Sequence, residues 1–178
     1  GGAGLHRGGN GLSVAYRFLC DGDIGIHDER WLTYPWGVLG GETGLRSTKR
    51  LVRVDGSEQW LPAKAEGIKV KTGDMLYFNT WGGGGWGDPF ARDPELVRQD
   101  VNRRLVTVDG ARRYGVVMAS DGSVDQDATQ TLRAELKAAA GEPALFNFGG
   151  DVEEIRARCE AETHLPAPVK PTFIGASQ

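Results

Sequence analysis

The chain carries little of what usually announces a chemistry. Cysteine occurs twice in 178 residues, as Cys20 and Cys159, far apart and without metal-ligand spacing. Two such thiols exclude a disulfide framework and read as buried or idle groups in a reducing compartment. The three histidines, His6, His27 and His164, show no ligand spacing among themselves. A metal site built wholly from this chain is therefore not expected. No apolar run approaches the roughly 20 residues of a membrane span, and no stretch reads as a signal peptide. Neither sign of charge dominates. The net charge is −3 and the pI about 5.7, with the basic residues scattered as pairs such as Lys49-Arg50, Arg103-Arg104 and Arg112-Arg113. That excludes a general binder of nucleic acid or acidic membranes. No serine sits in a nucleophile-elbow context.

Glycine is what the chain has in excess: 27 of 178 residues, about twice the ordinary share. It is clustered over 1–11, over 40–44, and in Thr80-Trp81-Gly82-Gly83-Gly84-Gly85-Trp86-Gly87-Asp88-Pro89. Glycine loses the most backbone freedom on folding, so four in a row are costly in an ordinary loop. Flexible linkers carry Ser, not flanking Trp. The run reads as ordered, held by Trp81 and Trp86. It is not a phosphate loop, because no Lys-Ser/Thr follows. Nor is it a dinucleotide fingerprint, because Asp88-Pro89 stands where a helix should begin. Close packing of backbones remains, as polyproline-II-like segments side by side, which only residues without side chains permit.

Before Asp93 the patterns are β and turn; after it they are mostly helical. Residues 13–19 alternate, with Val14, Tyr16 and Phe18 on one face of a half-buried strand. Ile24 and Ile26 suit a short second strand. Residues 48–54 alternate and end at Asp55-Gly56, a hairpin signal with 59–61 as the return strand. Residues 75–78 form an apolar strand leading into the glycine run. Asp93 and Pro94 start a helix with an apolar stripe of Leu96, Val97, Val101 and Leu105. Asp109 is expected to cap a short turn, and 116–118 to form a buried strand. Asp125 caps a helix over 126–140 with Gly141 as its stop. Asp151 with Glu154 opens a last helix carrying Val152, Ile155 and Cys159. Three prolines over 166–171 make an extended arm, with Val169, Phe173 and Ile174 as apolar anchors. Among polar residues, Glu29-Arg30 beside Trp31 and Trp36 is the best constellation. It suits the orienting of a substrate or loop; a structural ion pair near aromatic packing is the competing reading.

In order, Gly4-Leu5-His6-Arg7-Gly8-Gly9-Asn10-Gly11, Glu29-Arg30, Pro35-Trp36-Gly37 with Gly40-Gly41, Gly73-Asp74, and Gly83-Gly84-Gly85-Trp86-Gly87-Asp88-Pro89 with Arg92-Asp93-Pro94 resemble the C-terminal third of the hydantoinase B/5-oxoprolinase family. Tyr114-Gly115-Val116-Val117 fits its next phrase, and the resemblance runs to about residue 140. It implies two β-sheets in a barrel-like arrangement running into a bundle of polyproline-II segments. The expected fold is thus α+β: a β-rich, glycine-rich portion over 1–92, a helical part over 93–162 packed on it, and the arm over 163–178. The resemblance also implies work with a hydantoinase A-like ATP-binding subunit. Members hydrolyse cyclic amides with ATP; others, in acetone and acetophenone carboxylases, carboxylate ketones. Both phosphorylate an amide or enol oxygen to make it reactive.

The family's His/Asp-rich metal phrases lie in its N-terminal part and have no counterpart here; Thr163-His164-Leu165-Pro166 echoes one only in spelling. The chain opens on Gly1 without Met, and is expected to be a portion of the B-type subunit. It is expected to hold no catalytic residue and no metal, with ATP and a divalent metal in the rest of the complex. Its partners would be the N-terminal portion of the B-type subunit and the A-like subunit, in the cytoplasm. Residues in the shared phrases, His6, Arg7, Glu29, Arg30, Trp36 and Asp88, are candidates for a cavity wall or loop orientation, with Gly82, Gly83, Gly84 and Gly85 structural. Three readings stand: part of a cyclic-amide hydrolase, part of a ketone carboxylase, or a non-catalytic assembly module. A stand-alone small-ligand domain is a further contender.

Overall fold

The computed structural model describes residues 1–169, and the expectation for Phe173 and Ile174 lies outside the described residues. The β portion contains β1 (Ser13–Arg17), β2 (Gly22–His27), β3 (Gly37–Val38), β4 (Thr48–Val52), β5 (Glu58–Trp60), β6 (Lys64–Val70) and β7 (Met75–Asn79). The helical portion contains α1 (Pro94–Asn102), α2 (Val108–Ala111) and α3 (Gln126–Ala139), followed by β8 (Phe146–Asn147) and α4 (Val152–Thr163). The architecture is α+β.

Strands β1, β7, β4 and β5 form an antiparallel sheet in that order, and β2 pairs with β6 in a separate ribbon. Tyr16, Leu76 and Leu51 are directly opposed in neighbouring strands and so share a face. Onto that face pack Ile26 and Val70 from the ribbon, with Leu61 in the same core. Each such buried side chain contributes roughly 1.5–3 kcal/mol. The expected barrel-like arrangement is corrected here: among the described residues the two sheets face each other without closing. The hairpin at Asp55-Gly56 forms as its residues predict, with Gly56 at φ +84° and the Arg53 amide donating to the Ser57 carbonyl at 2.8 Å.

The helices start where their caps predict. Asp93, Asp125 and Asp151 each accept a backbone N–H of the first turn, and Asp151 with Glu154 completes a capping box. Two local expectations fail. The short α2 is capped by Thr107, whose hydroxyl accepts from the Gly110 amide at 2.9 Å, and not by Asp109. Residues 116–118 do not form a strand. Gly115 turns left-handed at φ +64°, and the backbone of Val117 is satisfied by the Thr129 hydroxyl at 3.0 Å and the Asp125 amide at 2.9 Å. Val116 is buried all the same, in a second core with Ala3, Val97, Ala111 and Tyr114. Helix α4 returns to the β portion. Cys159 is fully buried, its thiol 3.7 Å from the Trp31 carbonyl, and Glu162 accepts from Tyr34 and Arg46. No helix among the described residues is long and apolar enough to cross a membrane.

Candidate functional site

The glycine run is the middle segment of a three-part bundle. On one side runs the N-terminal segment: the Gly2 amide donates to Gly83 O at 2.8 Å, and the Gly83 amide donates to Gly9 O at 2.8 Å. On the other runs the segment through β3: the Gly82 amide reaches Leu45 O at 3.2 Å, the Gly85 amide reaches Glu42 O at 2.8 Å, and the Val38 amide reaches Gly85 O at 3.0 Å. His6 and Trp86 exchange two backbone hydrogen bonds at 3.0 Å. A Cβ on Gly84 would fall on the Trp36 carbonyl, and one on Gly85 on the Ala3 carbonyl. At Gly82 and Gly83 the nearest backbone atoms would be 3.1 Å away. The crowding is therefore greatest in the second half of the run. The tryptophans are not the buried anchors expected: Trp81 and Trp86 are 39% and 45% exposed. Backbone hydrogen bonds hold the run, because chains this close leave no room for an indole between them.

Residues 1–89 match the sequence profile of the family described as Hydantoinase B/oxoprolinase. The chain belongs to that family. An uncharacterised protein of Methanocaldococcus jannaschii is 35% identical over 137 residues, 75% of this chain and 24% of its own. The caprolactamase subunit beta of Pseudomonas jessenii is 36% identical over 141 residues, again 75% of this chain and 24% of its own. The crystal structure of the ATP-dependent caprolactamase from that organism superposes with a TM-score of 0.62 at 31% identity, over 74% of this chain and 24% of that one. Nucleotide-free acetone carboxylase shares the fold, with a TM-score of 0.54 at 19% identity, over 78% of this chain and 23% of that one. This hydantoinase B/oxoprolinase chain thus spans about a quarter of the length of the relatives it matches.

The six residues singled out from the family phrases do not converge on one site; only Arg30 and Trp36 meet. His6 is exposed, its ring 5.3 Å from that of Trp86. Arg7 donates to Gly8 O at 2.7 Å and Asn10 Oδ1 at 3.1 Å, and lines a cavity of about 650 Å³ beside the β1 end of the sheet. Glu29 turns outward to Lys64, 3.3 Å away. Arg30, at φ +53°, lies over the Trp36 ring at 5.4 Å. Trp36 in turn meets Phe148 edge-on at 5.1 Å. Asp88 accepts from the Phe90 amide at 2.7 Å and borders a second cavity of about 610 Å³ with Gly40, Phe90, Lys137 and Phe146.

Sequence reasoning missed the buried charges. Asp100 accepts from Arg92 at 2.8 Å and lies 3.5 Å from Arg7. Arg92 also donates to Leu5 O at 2.8 Å, so one cluster ties the bundle to α1. Lys49, fully buried on the inner face of β4, pairs with Asp28, which also accepts from the Ser47 hydroxyl. Burial pulls the Lys49 ammonium below the usual lysine range, and Asp28 opposes that shift. The missed signal was alternation: Lys49 stands two residues from Leu51, hence on the core face, where a charge needs a partner. The glycine run of this hydantoinase B/oxoprolinase chain does not fit nucleotide phosphates. The amides of Gly82, Gly83 and Gly85 are already bonded to carbonyls, so the run offers no nest of free N–H groups. Among the described residues no three His, Cys, Asp or Glu side chains converge as a metal site would require.

Proposed function

We propose that this chain is part of the B-type subunit of an ATP-dependent cyclic-amide hydrolase of the cytoplasm. The observation that carries the reading is the likeness to caprolactamase subunit beta, in sequence and in fold, across the glycine bundle. The bundle's role is structural. Its packed segments, read as polyproline-II-like, fix the backbones on which Arg30, Trp36 and Asp88 stand as candidate cavity walls. With the Gly82, Gly83 and Gly85 amides engaged, the run supplies no phosphate cradle. ATP and a divalent metal belong to the remainder of the complex, an A-like subunit and the N-terminal portion of the B-type subunit. Acetone carboxylase shares the fold at 19% identity, which gives the ketone carboxylase reading a scaffold and no chemistry.

The test is ATP turnover by the intact complex co-expressed with its A-like subunit. Hydantoin, 5-oxoproline or a lactam should stimulate ATP hydrolysis and yield the ring-opened acid. ATP consumption that answers only to a ketone with bicarbonate would overturn this reading in favour of the carboxylase. An unchanged amide-dependent rate in a complex lacking this chain would make it an assembly module.

A further inference from the structure

The four-stranded sheet has two unlike edges. At one, β5 is three residues long, Glu58 pairs with Arg50 at 3.0 Å, and Trp60 is covered by the His164 ring at 4.8 Å. The β2–β6 ribbon is blunted too, by a register shift between Ile24 and Ile26 and by exposed ion pairs such as Lys69–Asp23 at 2.8 Å. Natural sheets guard their edges with such devices. At the other edge, β1 is five residues without proline, bulge or lysine.

The register says which groups β1 leaves open. The Thr80 amide donates to Leu12 O at 2.8 Å and the Phe18 amide to Asp74 O at 2.9 Å. With a period of two, Leu12, Val14, Tyr16 and Phe18 turn their backbone groups to β7. Ser13, Ala15 and Arg17 then present theirs to the open side. The core face is partly uncovered there as well. Tyr16, in register with the buried Leu76, is 51% exposed, and Leu12, in phase with it just before β1, is 68% exposed. The cavity of about 650 Å³ continues this surface past Leu12 and Ser13 to Leu45, Thr48, Asn79 and Leu105.

We propose that β1 is an interior strand in the assembled subunit: its open edge takes an antiparallel or parallel strand from the remainder of the B-type polypeptide. This rests on the reading of the chain as part of a B-type subunit. The relatives it matches are about three times as long, so chain of the required kind is at hand in them. The incoming strand pairs with the outward groups of Ser13, Ala15 and Arg17. It carries apolar residues at alternate positions, continuing the row of Leu51, Leu76 and Tyr16. Its end fills the cavity beyond Leu12.

Hydrogen exchange at single-residue resolution on the intact assembly tests this without any substitution. The amides of Ser13, Ala15 and Arg17 should be protected to within about tenfold of those of Val14 and Tyr16, since both sides of an interior strand are bonded. An alternating pattern, with the three outward amides exchanging about a hundredfold faster or more, would overturn the proposal. In the same assembly, a photoreactive benzoylphenylalanine in place of Tyr16 should cross-link to B-type polypeptide outside these 178 residues. A cross-link to a second copy, to the A-like subunit or to a residue within this sequence would overturn it. Amide-dependent ATP hydrolysis measured on the same sample separates the two readings. An active assembly with alternating exchange sinks only the strand addition; a protected β1 without that activity sinks only the hydrolase.

Discussion

Glycine acts differently at each position of this chain, and the difference is one of contact, not of composition. Gly9 has no atom within 4 Å of where a Cβ would stand, while at Gly84 the Trp36 carbonyl occupies that place. Gly84→Val should therefore force two hydrogen-bonded backbones apart and cost about 3 kcal/mol. Gly9→Ala should leave stability within about 0.5 kcal/mol, as surface substitutions usually do. Urea midpoints of the two variants check this, and a Gly84→Val protein as stable as the parent would mean that the bundle is looser than its hydrogen bonds imply. The excess of glycine in the sequence announced close backbone packing; it did not say which glycine meets which carbonyl. The tryptophans misled for a related reason. Large aromatic residues next to a glycine run suggest anchoring, yet the run is anchored by amides that no side-chain pattern reports.

At the level of elements, the strands and helices with a clean period were legible. The alternating stretches 13–19 and 48–54 hold β1 and β4, the apolar stretch 75–78 holds β7, and the Asp caps mark the true starts of α1, α3 and α4. The two-residue β3 and β8 were not legible, being too short to have a period, and they pair across more than a hundred residues of sequence. The turn between β6 and β7 shows a local signal with a long reach. Asp74 is buried and accepts from the Lys71 amide at 2.9 Å, the Val54 amide at 3.0 Å and Arg53 at 3.1 Å. The bond from Lys71 holds its carboxyl below the usual range against the opposing effect of burial, with Val54 and Arg53 adding to it. A carboxyl depressed in the folded state stabilises above its unfolded value, about 3.9, and that stabilisation is lost as pH falls through the lower folded value. Asp74→Asn should accordingly flatten the fall of the urea midpoint below about pH 4. Parallel acid profiles of the two proteins would show that the turn does not depend on the charge.

In the whole molecule the glycine bundle is tied into the helical core. Ala3, inside the N-terminal segment, packs with Val97, Ala111 and Tyr114 of the helical portion. Arg92 joins the same layers by polar contacts: it donates to Leu5 O and Asp100, and its own carbonyl accepts from Arg133 of α3 at 2.6 Å. Asp100, 6% exposed, is the only carboxylate that the described residues place against both Arg7 and Arg92. Asp100→Leu removes it and leaves two largely buried guanidinium groups without that anion. Losing one member of such a buried cluster costs about 3–5 kcal/mol, mostly through the charges left behind. Because the cluster spans bundle and helices, the loss should fall on their coupling. Hydrogen exchange in α1 and α3 should then rise well before that in β4 and β7 as denaturant is added, whereas the parent should open all four together. The sheet core of Leu51, Leu76, Ile26 and Val70 touches none of these groups, so it serves as the internal reference. Uniform acceleration across both layers would show that Asp100 contributes to global stability and does not link the layers. Faster exchange confined to the helices would identify the arginine–aspartate cluster as the joint between them.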